Sequence, residues 1–493
     1  MRFVKALLVL ALVFAMSAIV YAETQSVKVS GDLAMRAFAR NNFDLNRDDA
    51  EGANGTTSSD WATYLTSTAE VQIDADLTDN VSGVIRLINQ RVWGSGDKAA
   101  EANGELGEVG APFQDQVTAR VMTNDREDEF QIDVDLAYIE LKEFLYSPLT
   151  LRIGRQDLWF GKGFIIGANL QDPENKLYAP EYTAIQSFDA IRATLDYDPW
   201  TIDAVFAKIT ENLRRSDDDT NLWGVNVGYV FDEYNAEAEA YWWYKQDRFT
   251  GSGNTGALTP GLIDVINSHD DNDVHVIGLR GSMDPIEDWT MALEGAYQFG
   301  NYLGANSQIE DRDRSAWAID AMVECRYFQD DYAWKPVLAA EYIFYSGQDN
   351  MGNVAATSSG DYNGWDPMFR GKFDTKIREY QNWFYRTAMA SCPSFTNQHQ
   401  VLVRGSVEPT DSLTVSAQYA HFWLAESWAT VTNTVPQNTD KDVGSEVDLE
   451  LTWDYTEDVQ FGLLTAWFFP GGHFAGGEDD IATDMVASVK LSF

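Results

Sequence analysis

The C-terminal segment, Ile481 to Phe493, alternates between two kinds of side chain. Met485 and Val489 fall on one side of an extended strand, whereas Asp484 and Lys490 fall on the other. One face therefore suits hydrocarbon and the other suits water. An edge strand of a soluble sheet has the same pattern, so this segment alone leaves two fold classes open.

The N-terminal residues 1–22 predict a secretory signal peptide. Arg2 and Lys5 precede an apolar run from Ala6 to Val20 that Ser17 alone interrupts, and small residues lead to a cleavage site after Ala22. The run is shorter than the roughly 20 residues that a spanning helix needs. No other stretch is comparably apolar, so strands would have to carry residues 23–493 through a membrane. We expect these residues to form a single domain.

Period-2 alternation predicts eighteen strands in the mature chain, an even number of segments long enough to cross a bilayer at a tilt. Their predicted spans are 27–39, 61–77, 81–93, 131–143, 149–160, 186–197, 200–209, 221–231, 235–246, 273–283, 289–299, 314–327, 334–346, 397–408, 412–424, 443–455, 459–469 and 481–493.

The connections between these strands alternate between short and long. Asp, Asn and Pro turns such as 78–80 and 198–199 are followed by long segments rich in Gly, Asn, Asp and Ser, such as 94–130 and 347–396. A soluble sandwich has no reason to maintain this alternation. The sequence therefore predicts an all-β fold, a transmembrane antiparallel up-and-down β-barrel with short periplasmic turns and long extracellular loops.

The segment from Val443 to Tyr455 shows the two predicted faces most clearly. Val443, Leu449 and Trp453 fall on the predicted outer face, whereas Asp448 and its neighbours in the period fall on the inner face. Carboxylates cannot face lipid. The interior should therefore contain water rather than a packed apolar core.

Composition narrows the set of partners. The chain carries 35 Lys and Arg against 77 Asp and Glu, a net charge of −42, which argues against nucleic acid as a partner. Cys325 and Cys392 are too few for a disulfide scaffold, and both a pairing and two free thiols remain open. The five histidines are scattered, and no nucleophile or phosphate-loop motif appears, so we expect no enzyme activity.

Four stretches resemble the alginate export family of outer-membrane porins: 151–167, 188–199, 341–349 and 443–472. They contain the runs Gly-Arg-Gln (Gly154, Arg155, Gln156), Phe-Asp-x-x-Arg (Phe188, Asp189, Arg192), Ser-Gly (Ser346, Gly347), Gly-x-Glu (Gly444, Glu446) and Pro-Gly-Gly (470–472). The resemblance implies an eighteen-stranded barrel in the Gram-negative outer membrane, in contact with its lipid bilayer, that passes an anionic polysaccharide or a related acidic solute. The resemblance is also compatible with periplasmic export components as partners.

A channel for polyuronates needs inward cations that replace water around carboxylates. Parity and the resemblance together predict a selectivity set that lines the lumen: Lys28, Arg36, Arg86, Arg152, Arg155, Arg192 and Arg404. The same parity turns more acidic than basic residues inward, so paired charges in a general pore remain an alternative.

Arg155 enters the set only with an irregularity, because simple parity places it toward lipid. Either the strand bulges near Gly154, which would aim Arg152, Arg155 and Gln156 at the lumen, or Arg155 lies beyond the bilayer. We expect the bulge.

Two long loops are candidates to narrow the pore. Loop A (residues 161–187) contains Phe164, Ile165 and Ile166, which would be poorly placed in open water. It either folds into the barrel or packs on its neighbours outside. Loop B (residues 348–396) carries aromatic residues that either stack on sugar rings or form a core of the loop itself.

No cofactor is expected. The acidic cluster Asp217, Asp218 and Asp219 has the oxygen ligands that a structural Ca²⁺ prefers, but a solvated loop explains it as well. The sequence therefore predicts an outer-membrane channel for passive passage of an anionic saccharide. The alternatives are a general diffusion porin without an export role, and a barrel plugged by its loops that binds a partner at the surface.

Overall fold

The computed structural model describes residues 25–43, 45, 61–93, 132–169, 182–211, 219–247, 272–302, 312–329, 331–348, 360–380, 395–427, 440–474 and 480–493. The predicted signal peptide, residues 1–22, lies outside this part of the chain. Within it, no helix has the length and apolar character needed to cross a membrane.

Eighteen strands form one sheet in which each strand pairs antiparallel with its neighbours in sequence, and β1 also pairs with β18. The ring is therefore closed, as predicted. The strands are β1 Ser26–Asn41, β2 Trp61–Thr78, β3 Val81–Val92, β4 Asp133–Leu141, β5 Leu149–Gln156, β6 Phe188–Tyr197, β7 Trp200–Thr210, β8 Thr220–Phe231, β9 Ala236–Asp247, β10 Asn272–Ile286, β11 Trp289–Tyr302, β12 Arg312–Cys325, β13 Val337–Tyr345, β14 Gln398–Thr410, β15 Leu413–Leu424, β16 Asp442–Asp454, β17 Val459–Pro470 and β18 Ala482–Ser492.

The outer face of the ring is apolar, whereas the inner face carries most of the buried charged side chains. On β11, for example, Met291 and Leu293 are 45% and 59% exposed, whereas Glu294, which follows Leu293 and points inward, is only 5% exposed. This inverts the usual distribution in a soluble protein. It is the distribution expected when the outer surface contacts hydrocarbon and the lumen contains the polar groups. Where loops A and B lie inside the ring, the inner face also contributes to a buried apolar cluster, so the prediction of an interior without a packed apolar core is wrong there.

The seam between β1 and β18 is closed by backbone pairing, an aromatic contact and a buried ion pair. The Phe493 ring covers Gly31, where an added Cβ would lie 2.7 Å from the ring, and the Gly31 amide donates to the Phe493 carbonyl at 2.9 Å. On the lumen side, Arg40 donates through Nε and Nη2 to the two carboxylate oxygens of Asp484, both at 3.2 Å.

Short and long connections fall on opposite rims, with one departure from the expected lengths. The β12–β13 connection, 326–336, lies on the short-turn rim but is longer than the connections 211–219 and 303–311 on the other rim. Its aromatic side chains contact one another, with the Tyr332 and Trp334 rings 5.3 Å apart. These contacts stabilise a turn that is longer than its neighbours.

Two details of the predicted strands are wrong, the face of one residue and the end of one strand. Val443 is fully buried among lumen residues instead of facing outward, because the β15–β16 pairing shifts between Phe422 and Trp423 and inserts a residue there. β5 ends at Gln156, earlier than predicted, because the chain turns into loop A through the positive-φ residues Gly161 and Gly163.

The buried Arg40–Asp484 pair yields the first prediction. Asp484→Asn removes this carboxylate charge from beside the buried Arg40 guanidinium, so we expect a loss of about 3–5 kcal/mol in the free energy of unfolding. The double change Arg40→Met with Asp484→Leu removes both charges and should recover most of this loss. Urea unfolding in detergent, followed by the gel mobility of folded and unfolded forms, measures both.

Lys335→Gln is the matched control, because the Lys335–Glu408 pair is exposed and should contribute less than about 1 kcal/mol. Equal losses for Asp484→Asn and Lys335→Gln would contradict the structural role assigned to the seam pair.

Candidate functional site: the lumen and its two inner loops

Two arginines lie directly opposite each other on the inner face of the wall. Arg152 on β5 and Arg192 on β6 are register partners, an arrangement that is normally unfavourable for like charges. A carboxylate flanks each one. Arg152 Nη2 donates to Glu140 Oε2 on β4 at 2.5 Å, and Arg192 Nε donates to Asp203 Oδ1 on β7 at 2.8 Å. Across four strands the order is therefore acid, base, base, acid.

Aromatic rings hold both guanidinium groups in place. The Cζ atom of Arg152 lies 4.6 Å from the centre of the Tyr138 ring, and that of Arg192 lies 5.0 Å from the Phe160 ring. The two side chains are 30% and 24% exposed. A guanidinium has five N–H groups, and one carboxylate engages only part of them. Both arginines can therefore bind a further anion from the lumen.

The other predicted cations of the wall occupy different settings. Arg86 Nε donates to Asp135 Oδ2 at 2.5 Å, and its Nη2 lies 3.6 Å from Asp157. Arg36 stacks on the Tyr182 ring at 5.2 Å, and no carboxylate lies within 4.0 Å of it among the residues described. Lys28 is exposed near the short-turn rim.

The bulge predicted at Gly154 is wrong. Pairing along β5 continues without a register shift on both sides, so Arg155 keeps the parity opposite to Arg152 and lies across from Asp189, which is 65% exposed. The extra residue occurs in β4, at Asp135, where the β3–β4 pairing shifts. Arg155 Nε donates to the Asp135 carbonyl at 3.1 Å. Arg155 therefore lies on the outer face near the long-loop rim and does not belong to the lumen set.

Loop A enters the barrel. Phe164, Ile165 and Ile166 are at most 3% exposed and pack in one cluster with Trp365 and Phe369 of loop B and with inward residues of the wall. The two loops also pair through their backbones. The Gly167 amide donates to the Phe369 carbonyl at 2.7 Å, and the Gly371 amide donates to the Gly163 carbonyl at 3.0 Å. Together they form a partition inside the lumen.

Charged groups tie loop B to the wall of β12 to β14. The Lys372 ammonium lies 2.8 Å from Asp320 Oδ2 and 3.2 Å from Asp374 Oδ1, and it also bonds Glu341. Arg404 lies 2.6 Å from Glu341 and 2.8 Å from Asp374. This predicted pore residue is thus one of the anchors of the loop.

Two further anchors hold loop B at either end of this network. Asp366 accepts from the Lys245 ammonium of β9 at 2.6 Å. Glu446 of β16 accepts from three successive loop amides, those of Lys376, Ile377 and Arg378, at 2.7, 2.7 and 2.8 Å. Backbone amides and loop cations therefore satisfy much of the acidic excess that parity places inside the barrel.

Burial and neighbouring charges shift three ionisable groups of loop B. Burial alone would lower the pKa of Lys372, but Asp374, Asp320 and Glu341 raise it above its usual value. Burial would raise the pKa of Asp366, but Lys245 and Arg314 hold it below its usual value. For Glu379, burial and the charge of Asp374 raise the pKa to about 7.

Several of these residues could not be identified from the sequence. Lys372 and Arg370 lie in a loop without periodicity, and only their contacts in the folded chain reveal that Arg370 sits among the Phe164, Tyr345 and Phe395 rings. Glu446, in contrast, belongs to the Gly-x-Glu run noted in the sequence.

The remaining predictions concern metals and cysteines. Asp217 and Asp218 lie outside the described residues, and Asp219 bonds Lys208 at 2.5 Å. Within the described ranges, no group of three or more potential ligands is placed to hold a metal ion. The calcium site stays a prediction. Whether Cys325 pairs with Cys392 also stays a prediction, because Cys392 lies outside the described residues. Cys325 is a free thiol in the structure.

Solved structures share the architecture. Acinetobacter baumannii OccAB4 matches with a TM-score of 0.52 at 10% identity, covering 96% of this chain and 100% of its own. A BenF-like porin from Pseudomonas fluorescens matches at 0.51 and 11%, covering 95% and 100%. Pseudomonas aeruginosa OccK2 in complex with glucuronate matches at 0.51 and 12%, covering 95% and 99%. At these identities the likeness shows the fold alone.

A search of the curated proteins gave no match. The family comparison is decisive, because the model of the alginate export family matches residues 35–488, nearly the whole mature chain. The barrel and the family place the protein in the outer membrane and favour a channel over an enzyme. The chain belongs to the alginate export family.

Proposed function

We propose that the protein passes an anionic saccharide of the uronate class across the outer membrane, along the side of the lumen formed by β4 to β7. The opposed pair Arg152 and Arg192 is the observation that carries this proposal. Two adjacent guanidinium groups with accessible N–H edges suit sugar carboxylates. Glucuronate, the ligand in the OccK2 structure, has this chemistry.

The flanking carboxylates set the strength of the site. Glu140 and Asp203 neutralise part of the positive charge, so a passing carboxylate gains hydrogen bonds without being held tightly. Conduction requires this balance, because a site that binds too strongly does not release its solute. The stacked Tyr138 and Phe160 rings keep the two guanidinium groups in place during each exchange.

The two rival functions make different demands on the lumen. A general diffusion porin needs no partition, whereas loops A and B meet inside the barrel. A plugged surface-binding barrel needs a filled lumen, whereas the side chains of Arg152 and Arg192 remain partly exposed. The proposal includes three further implications of the family. They are delivery through a cleaved signal peptide, export as the direction of flow, and periplasmic export components as partners.

The selectivity prediction concerns the arginine pair. Arg152→Glu with Arg192→Glu places four carboxylates side by side on the inner wall, so we expect preference for anions to be lost or reversed. Reversal potentials in planar bilayers under a salt gradient measure this, and added polyuronate should no longer block the current.

Arg326→Glu with Lys335→Glu is the control with the same change in charge, because both residues are exposed in the β12–β13 turn. Reversal potentials that remain at the wild-type value in the Arg152 and Arg192 variant would exclude this pair as the filter.

A pH prediction follows from Glu379, which faces Asp374 and Arg370 of its own loop, Gln400 of β14 and Asp448 of β16. Its pKa is about 7 in the docked loop and near the ordinary 4.5 when undocked, so docking takes up a proton between these values. Docking should be strongest below pH 4.5, weaken as pH rises from there to about 7, and change little above that. We therefore expect single-channel conductance to increase between pH 5.5 and 8.

Glu379→Gln imitates the protonated group and should make the conductance independent of pH over this range, at the value of the docked loop. Glu457→Gln, in the exposed β16–β17 turn, is the control and should keep the wild-type dependence. The assignment would be refuted by an unchanged pH dependence in Glu379→Gln.

A further inference from the structure

An apolar groove crosses the lipid-facing surface of β8 to β14, on the opposite side of the wall from the lumen. It encloses about 700 Å³. The residues on its sides include Met283, Met291, Leu293 and Tyr342, each at least 36% exposed on the outer face. Its surface is largely hydrocarbon, and we refer to it as the outer groove.

Strand register explains the shape of the outer groove. Two rows of outward residues run side by side across the strands, and small side chains interrupt each row. One row is Gly281, Leu293, Ala321, Tyr342 and Val401. The other is Phe231, Ala236, Met283, Met291, Val323 and Ala340. Five inter-strand steps give a length of about 24 Å.

We propose that the outer groove binds one acyl chain of a phospholipid with a zwitterionic, ammonium-bearing headgroup in the periplasmic leaflet. The inference rests on the membrane location shown by the fold and family and is independent of the solute carried. The groove is continuous with the exposed apolar surface that contacts hydrocarbon, and its length is sufficient for a chain within one leaflet of about 15 Å.

The curvature of the barrel favours a lipid chain over a second protein copy. Two convex barrels contact each other along a narrow line, so a second barrel would leave the outer groove unfilled. A flexible acyl chain can follow it, and Met283 and Met291 can adapt their side chains to its contour.

Charge at the periplasmic end identifies the headgroup. The groove begins beside Phe231 and Met283, next to residues 232–235 and to residues 284–288 at the end of β10 and in the turn that follows. These residues include Asp232, Glu233, Asp284, Glu287 and Asp288, and no Lys or Arg. The adjoining β12–β13 turn brings Arg326 beside Asp288, but the Arg326 charge is paired with Glu324 at 2.5 Å. An ammonium headgroup is attracted to such a rim, whereas a headgroup with net negative charge is repelled.

The test uses the full mature protein reconstituted in vesicles of equal phosphatidylethanolamine and phosphatidylglycerol, then extracted in mild detergent for native mass spectrometry. We expect a retained phosphatidylethanolamine. Ala340→Phe fills the outer groove and should reduce retention about tenfold, the loss equivalent to displacing two methylene groups. Ala204→Phe, an exposed outward alanine on β7 outside the groove, should retain lipid as the wild type does.

A second variant separates headgroup from chain. Glu233→Gln with Glu287→Gln should weaken the preference for phosphatidylethanolamine while preserving total retained lipid, and Glu457→Gln with Asp458→Asn in a distant turn should leave the preference intact. Equal retention by wild type and Ala340→Phe, preference for phosphatidylglycerol, or a dimer that Ala340→Phe dissociates would each overturn the proposal.

Discussion

The structure depends on one constraint, which is that the backbone of a membrane-spanning segment must satisfy its hydrogen bonds within the protein. The closed antiparallel ring meets this constraint, because every strand has two partners and no edge remains. With the backbone paired, successive side chains point alternately to hydrocarbon and to the lumen. The exposed aliphatic belt and the buried charges are two consequences of the same geometry.

The lumen must then accommodate a chain with a large excess of carboxylates. Part of that excess is satisfied by loop B, whose Lys372 and backbone amides engage Asp320, Glu341 and Glu446. On the other side of the barrel, Arg152 and Arg192 stay beside each other and keep accessible N–H groups. These lumen carboxylates thus position loop B or neutralise part of the arginine charge, so they do not prevent a chain with a net charge of −42 from passing anions.

The strands could be predicted from the sequence because period-2 alternation and turn composition are local properties. The lumen positions of Arg152 and Arg192 followed from the same parity. Arg155 and Val443 were assigned to the wrong face, because a bulge is decided by the register between two strands and leaves little trace in either one alone. The anchors of loop B had no local signal either, since Lys372 reaches its partners on β12 and β13 only after the barrel has closed.

The most direct test of this account is the solvent that each successive side chain of β16 contacts. Spin labels placed singly at Leu449 to Trp453 in the reconstituted protein, in a background without the native cysteines, would report collision with oxygen dissolved in lipid and with a water-soluble nickel complex. Strict alternation is expected, with 449, 451 and 453 in hydrocarbon and 450 and 452 in water. Uniform accessibility to either reagent along these five positions would contradict it.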